Sequence, residues 1–166
     1  MGDDYFMKLA LEEAKLAYER GDLPVGAVLT LDDKIISRGG NMATTKKDWV
    51  SHAEIIVLNQ GAQALKENKE SSSSLYTTWE PCFMCGFTAY MSRVKRIVYA
   101  CPENVGGMSL LDIGLLPNWY GKRAPKIERG SFGRESYDLL VKHMEKNPDI
   151  WGETFLPKFR EVEDSF

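Results

Sequence analysis

Histidine and cysteine are scarce in this chain, with two of the first and three of the second among 166 residues. Three cysteines cannot staple a small secreted domain, which points to a reducing compartment. Long apolar runs are missing as well. No stretch approaches the roughly 18 residues of a membrane-spanning helix, and acidic Asp3 and Asp4 stand where a secretory leader would be basic. The expectation is a cytoplasmic protein with no membrane partner. There is also no excess of positive charge: 21 Lys and Arg against 24 Asp and Glu leave a net −3. Composition alone therefore gives no electrostatic pull toward nucleic acid, although a local basic patch is compatible with it. The length suits one domain spanning 1–166 with a sizeable core, in which 147–166 reads as a C-terminal tail placed to cover the active site.

The few ligand-type residues are grouped. Ser51-His52-Ala53-Glu54 and Trp79-Glu80-Pro81-Cys82-Phe83-Met84-Cys85 offer one imidazole and two thiolates, a soft set that suits one Zn2+ per chain and leaves a tetrahedral position open for water. Zinc lowers the pKa of such a water to about 7. Glu54 lies two residues past His52, about 200° around a helix, which makes it a proton carrier and not a fourth ligand. A closed structural zinc site needs one more ligand, and only Cys101 and His143 remain. Cys101 reads as a small buried residue ending a strand, and His143 as an ordinary histidine.

Periodicity places these motifs. Met7, Ala10, Leu11, Ala14, Ala17 and Tyr18 recur at helical spacing up to Gly21. Residues 25–29 and 34–37 form a hairpin turned by Asp32-Asp33. Gly26 inside the first strand implies close approach of a ligand or another backbone, or tight packing. Ser51 is an N-cap candidate, placing His52 and Glu54 in a first helical turn. Polar residues 66–74 read as a solvated loop, and 75–78 as a strand. Pro81 suits the first position of a helix carrying Cys82 and Cys85 on one face. Another strand covers 96–100, a substrate loop 103–107, and a helix 134–146.

The paired motif H-x-E and P-C-x-x-C matches the signature of zinc deaminases, and the chain resembles the cytidine deaminase-like superfamily. It is similar to the branch that holds tRNA adenosine deaminases, guanine deaminases and fungal cytosine deaminase. Residues 22–28, 52–54, 80–85 and 109–112 resemble the tRNA enzymes, whereas 40–42, 75–78, 103–105, Pro148 and Trp151 resemble fungal cytosine deaminase. The resemblance implies an α/β fold, a three-layer α-β-α sandwich around a five-stranded mixed sheet with zinc between two helix starts, and a homodimer. It also implies catalysis by Glu54 and substrate contacts from Asn41, Val25, Ala53, Trp79, Glu80, Trp151 and Glu153.

Three departures bear on the substrate: Trp79 replaces a smaller aliphatic residue, residues 48–51 replace the Asp-Pro-Thr-Ala usual in tRNA deaminases, and the C-terminus is acidic, with Glu153, Glu161, Glu163 and Asp164. The sequence reading therefore favours hydrolytic deamination of a free nucleobase or nucleoside, with Trp151 as a lid and Glu153 accepting from the base. The alternative is adenosine-to-inosine deamination in tRNA. A catalytically silent, metal-bearing RNA-binding subunit would have no use for Glu54.

Overall fold

The computed structural model describes residues 2–166, with side chains for all of these except Trp119 and Tyr120. In chain order the elements are α1 (Asp3–Arg20), β1 (Gly26–Leu31), β2 (Lys34–Gly40), α2 (Ala43–Lys46), α3 (Ala53–Glu67), β3 (Ser73–Trp79), α4 (Phe83–Met91), β4 (Arg96–Cys101), α5 (Asn118–Gly121), β5 (Lys126–Arg129), α6 (Gly133–Lys146), α7 (Pro148–Trp151) and α8 (Phe155–Phe159). The five strands form one sheet in the order β2-β1-β3-β4-β5. β1 is antiparallel to both β2 and β3, while β3, β4 and β5 run parallel. This is the expected five-stranded mixed sheet.

The alternation of strand side chains builds a core on each face. Val28, Tyr76 and Val98 pack with Phe6, Met7 and Ala10 of α1, while Ala27, Leu29, Leu75 and Ile97 join the cluster holding Val57 and Leu58 of α3 and Ala89 of α4. α6 lies beside α1 and against β4. Among the described residues no helix is long and apolar enough to cross a membrane. Asp32 and Asp33 both take positive φ, 47° and 58°, the conformation of a tight hairpin turn that matches the strand twist. Gly26 is resolved as tight packing: a Cβ there would sit 2.0 Å from the Ala10 carbonyl oxygen of α1.

Several boundaries differ from the sequence reading. The stretch 66–74 is not all loop, because α3 runs to Glu67 and β3 begins at Ser73. Ser73 and Ser74 are buried, and Ser73 Oγ accepts from the Lys95 N–H at 3.1 Å, so the polar strand start is satisfied. Ser51 does not cap α3. Its hydroxyl turns back to Asp48 Oδ2 at 2.7 Å, and His52 takes the N-cap position with extended backbone. Pro81 likewise lies before α4, whose N-cap is Cys82.

Candidate metal centre and base cleft

His52 and Cys82 thus occupy equivalent places, the residue just before the first turn of α3 and of α4. The 200° helical-wheel estimate for His52 and Glu54 does not apply, because His52 stands outside the helix. Cys85 completes the group from the first turn of α4. Its Sγ lies 3.4 Å from His52 Nδ1, and Cys82 Sγ lies 3.8 Å from the same nitrogen. Zn–S bonds of about 2.3 Å and Zn–N bonds of about 2.0–2.1 Å set tetrahedral ligand atoms roughly 3.5–3.8 Å apart. The donor set fits zinc in both chemistry and spacing, and these three residues form a potential metal-holding group among the described residues.

The electrostatics agree with this. The Cys85 contact holds the Cys82 thiol far below its usual range, at about 4, with burial opposing and His52 assisting. The same contact, with burial adding to it, pushes Cys85 up, and a metal bound here takes both sulfurs as thiolates. The Cys82 sulfur raises the His52 imidazole. Glu54 is only 4% exposed, and burial raises its carboxyl against the opposing pull of His52. Thr77 Oγ1 lies 3.2 Å from Glu54 Oε1, while Cys85 Sγ lies 3.6 Å from Oε2. A buried carboxyl held beside a metal ligand, with its pKa raised by burial, can take up and release a proton.

These groups open into a cleft of about 290 Å3 walled by Val25, Asn41, Trp79, Glu80 and Trp151, among others. Asn41 Oδ1 accepts the Ala43 N–H at 2.9 Å, which fixes the amide so that Nδ2 remains as donor. Glu80 lines the cleft, yet its carboxylate is engaged: Oε2 accepts from the Glu103 N–H at 3.0 Å and Oε1 from the Ser109 N–H at 2.7 Å. Glu80 therefore shapes the loop after β4. Glu103, Val105 and Gly106 of that loop line the cleft, which places 103–107 beside the site. Ala53 is fully buried beneath the site and Glu153 is exposed; neither is part of the cleft wall. Cys101 is buried at the end of β4, and His143 is buried on α6 with its ring 6.3 Å from Tyr18.

Sequence reasoning missed Leu23 and Phe155 in the cleft wall, and Thr77 behind Glu54. Phe155 sits 5.9 Å from Trp79 and 5.1 Å from Trp151, edge-on to both. The spacing of Trp151, Phe155 and Phe159 at four-residue intervals was the available signal. Asp22, buried in the motif at 22–28, was another: it accepts from the Thr45 N–H and hydroxyl at 2.9 and 2.7 Å.

Known proteins agree with this geometry. The model of the cytidine and deoxycytidylate deaminase zinc-binding region matches residues 1–101. The chain is 35% identical over 136 residues to the tRNA-specific adenosine deaminase of Agrobacterium fabrum, covering 82% of this chain and 90% of that protein. It is 38% identical over 138 residues to the tRNA-specific adenosine deaminase of Bacillus subtilis, with coverages of 83% and 86%. A structure solved in a study of A-to-I editing by tRNA:A34 deaminases superposes with a TM-score of 0.71 at 34% identity, over 82% of this chain and 99% of that one. A guanine deaminase from Nitrosomonas europaea shares the fold, with a TM-score of 0.67 at 22% identity over 86% of this chain and 84% of that one. The family model runs from α1 through β4 and so takes in all three donor atoms: this chain belongs to the cytidine and deoxycytidylate deaminase zinc-binding family and is a zinc-dependent deaminase.

Proposed function

We propose that this protein deaminates adenosine in tRNA, at the wobble position 34, to inosine. The observation that carries this reading is the identity of 35–38% over more than four fifths of the chain with proteins named tRNA-specific adenosine deaminases. It corrects the expectation of a free nucleobase or nucleoside as substrate and partner. The acidic tail misled because composition does not see pairing: Glu161 is bound to Lys158 at 2.6 Å and Glu163 to Arg134 at 2.9 Å. Arg160 in turn bridges to Glu145 at 2.5 Å. Trp151 packs against Phe155 and the core cluster as part of the wall, which leaves a cleft of one-base size for a nucleotide turned out of its strand.

In this reading the adenine enters between Val25 and the aromatic wall of Trp79, Trp151 and Phe155, and Asn41 Nδ2 donates to an acceptor on the base edge. Residues 147–166 belong to the same domain, since their aromatic residues complete that wall. His52, Cys82 and Cys85 would hold zinc, which would supply a water acidified to about pKa 7. Glu54 would take one proton from the attacking water and pass it to the ring nitrogen, then take the second from the hydroxyl on C6 and pass it to the exocyclic amine. The C6–N bond breaks, a C6–O bond forms, one water is consumed and ammonia leaves.

The test is incubation with a tRNA bearing A34, read by sequencing for inosine, beside ammonia release from free adenine, adenosine, cytosine and guanine. Inosine at position 34, formed with steep salt dependence because phosphate contacts release counterions, is the expected result. Turnover of a free base with the tRNA unchanged overturns the proposal.

A further inference from the structure

Large apolar side chains on a protein surface are unremarkable singly, but Trp49 is 92% exposed, beyond what partial burial of an aromatic edge leaves. Of the other described tryptophan side chains, Trp79 is buried and Trp151 half-buried. Trp49 is followed by Val50, also exposed, and preceded by exposed Lys46 and Lys47. Neither lysine makes a salt bridge among the described residues.

The local fold holds the indole outward. Asp48 Oδ1 accepts the N–H groups of Val50 at 2.9 Å and Ser51 at 2.7 Å, and Oδ2 accepts the Ser51 hydroxyl at 2.7 Å. The carboxylate fills the inside of the turn, and these hydrogen bonds, led by the Ser51 hydroxyl, keep it ionised. Residue 49 is left at the outer corner. The loop carrying it is clasped at its base, where the Met42 N–H donates to the Ser51 carbonyl at 2.9 Å. Both residues flanking the clasp, Asn41 and His52, line the cleft. Trp49 is three residues from His52, so their Cα atoms lie within about 10 Å.

We infer that Trp49 is a stacking platform for a nucleobase adjacent to the one held in the cleft, with Lys46 and Lys47 facing the phosphates between them. The inference rests on the tRNA reading and names the surface that takes the flanking nucleotides. A target base turned into the cleft leaves its neighbours unstacked at the mouth, and RNA recognition of splayed bases uses aromatic faces and Lys or Arg in this combination. A free base or nucleoside has no neighbour to place there.

The experiment compares the parent, Trp49→Ala and Trp49→Phe on an RNA hairpin with adenosine in its loop, under single-turnover conditions and in equilibrium binding. 2-Aminopurine at the flanking position reports stacking. Trp49→Ala is expected to lower kcat/KM by about tenfold to a hundredfold and to relieve 2-aminopurine quenching, with metal content and Tm unchanged. Trp49→Phe keeps most of both. Lys46→Gln with Lys47→Gln lowers the slope of log affinity against log salt by about 0.7 for each phosphate no longer neutralised. Parental activity and quenching in Trp49→Ala, or equal loss in the Phe variant, overturns the inference. A parent enzyme that leaves every tRNA and hairpin unmodified overturns the proposed function itself, a result seen before any variant is made.

Discussion

Asp22 and Thr45 are joined twice, through the Thr45 amide and its hydroxyl, by a carboxylate with 0% exposure. Arg20 extends the link: its Nε lies 3.3 Å from Asp22 Oδ2, and its Nη2 donates to the Asn41 carbonyl at 2.9 Å. The end of α1 thereby fixes both the α2 turn and the residue proposed to grip the base. Asp22→Ala strands the Thr45 amide and the Arg20 charge, and should cost about 1–3 kcal/mol in urea unfolding. A rise in KM larger than the fall in kcat is the accompanying kinetic outcome, and unchanged KM would remove Asp22 from the positioning of Asn41.

Glu54→Gln preserves shape but cannot carry protons. We expect kcat to fall by about a hundredfold to ten-thousandfold, with zinc content at one per chain and an unaltered circular dichroism spectrum. Residual activity above a tenth of the parent would place the proton carrier elsewhere.

Cys82→Ala and Cys85→Ala each remove one of three donor atoms. Purified variants should contain little zinc by metal analysis and show no turnover. An active, metal-free Cys85→Ala protein would contradict the ligand assignment.

Glu80→Ala tests the loop after β4. Loss of the carboxylate frees the Glu103 and Ser109 amides, and a Cβ at Gly107 would lie only 2.7 Å from Glu80 Oε1, so the two residues are fitted to each other. The expected result is a destabilisation of about 1–3 kcal/mol and a large loss of activity with zinc retained. Hydrogen exchange should rise in residues 103–109 and stay low in α3.

The pH dependence of stability has a contribution at Asp3. Arg96 donates to both of its oxygens, at 2.8 and 2.6 Å, and Tyr76 adds a third hydrogen bond at 2.8 Å. The guanidinium holds the carboxyl down at about 2, below the unfolded value near 3.9. A folded pKa below the unfolded one gives stability that is present above about pH 4 and is lost as pH falls toward 2. The pair is partly solvated, so Asp3→Asn should cost no more than about 1 kcal/mol at neutral pH and should flatten the acid limb of the urea midpoint between pH 4 and 2.

The zinc donor set and the place of Glu54 beside it were legible because metal chemistry admits few residue types at few spacings, and the helix and strand periods around them were strong. Caps were less so. Serine is a favoured N-cap, yet Asp48 draws the Ser51 hydroxyl backward and the cap falls to His52, a tertiary preference that propensity does not contain. β5 went unread because Lys126–Arg129 is four residues long and only Ile127 among them packs on the core. The substrate was misread for a related reason. A tail read by its acidic residues alone takes Glu161 and Glu163 as free anions, while the fold pairs them with Lys158 and Arg134.

Placing His52 and Cys82 at the starts of two different helices has a consequence for folding order. A metal on both closes a chain segment of roughly 30 residues, and in the chain-entropy view a cross-link of that span limits the unfolded ensemble by about 3–4 kcal/mol. The segment between them contains all of α3 and β3, the central part of the sheet. Chelation would release this tether from the middle of the molecule and leave the β1–β2 hairpin and α1 outside it. Apo protein should therefore refold more slowly in the α3–β3 segment than in the hairpin, with zinc acting as a template for the interior before it serves any chemistry.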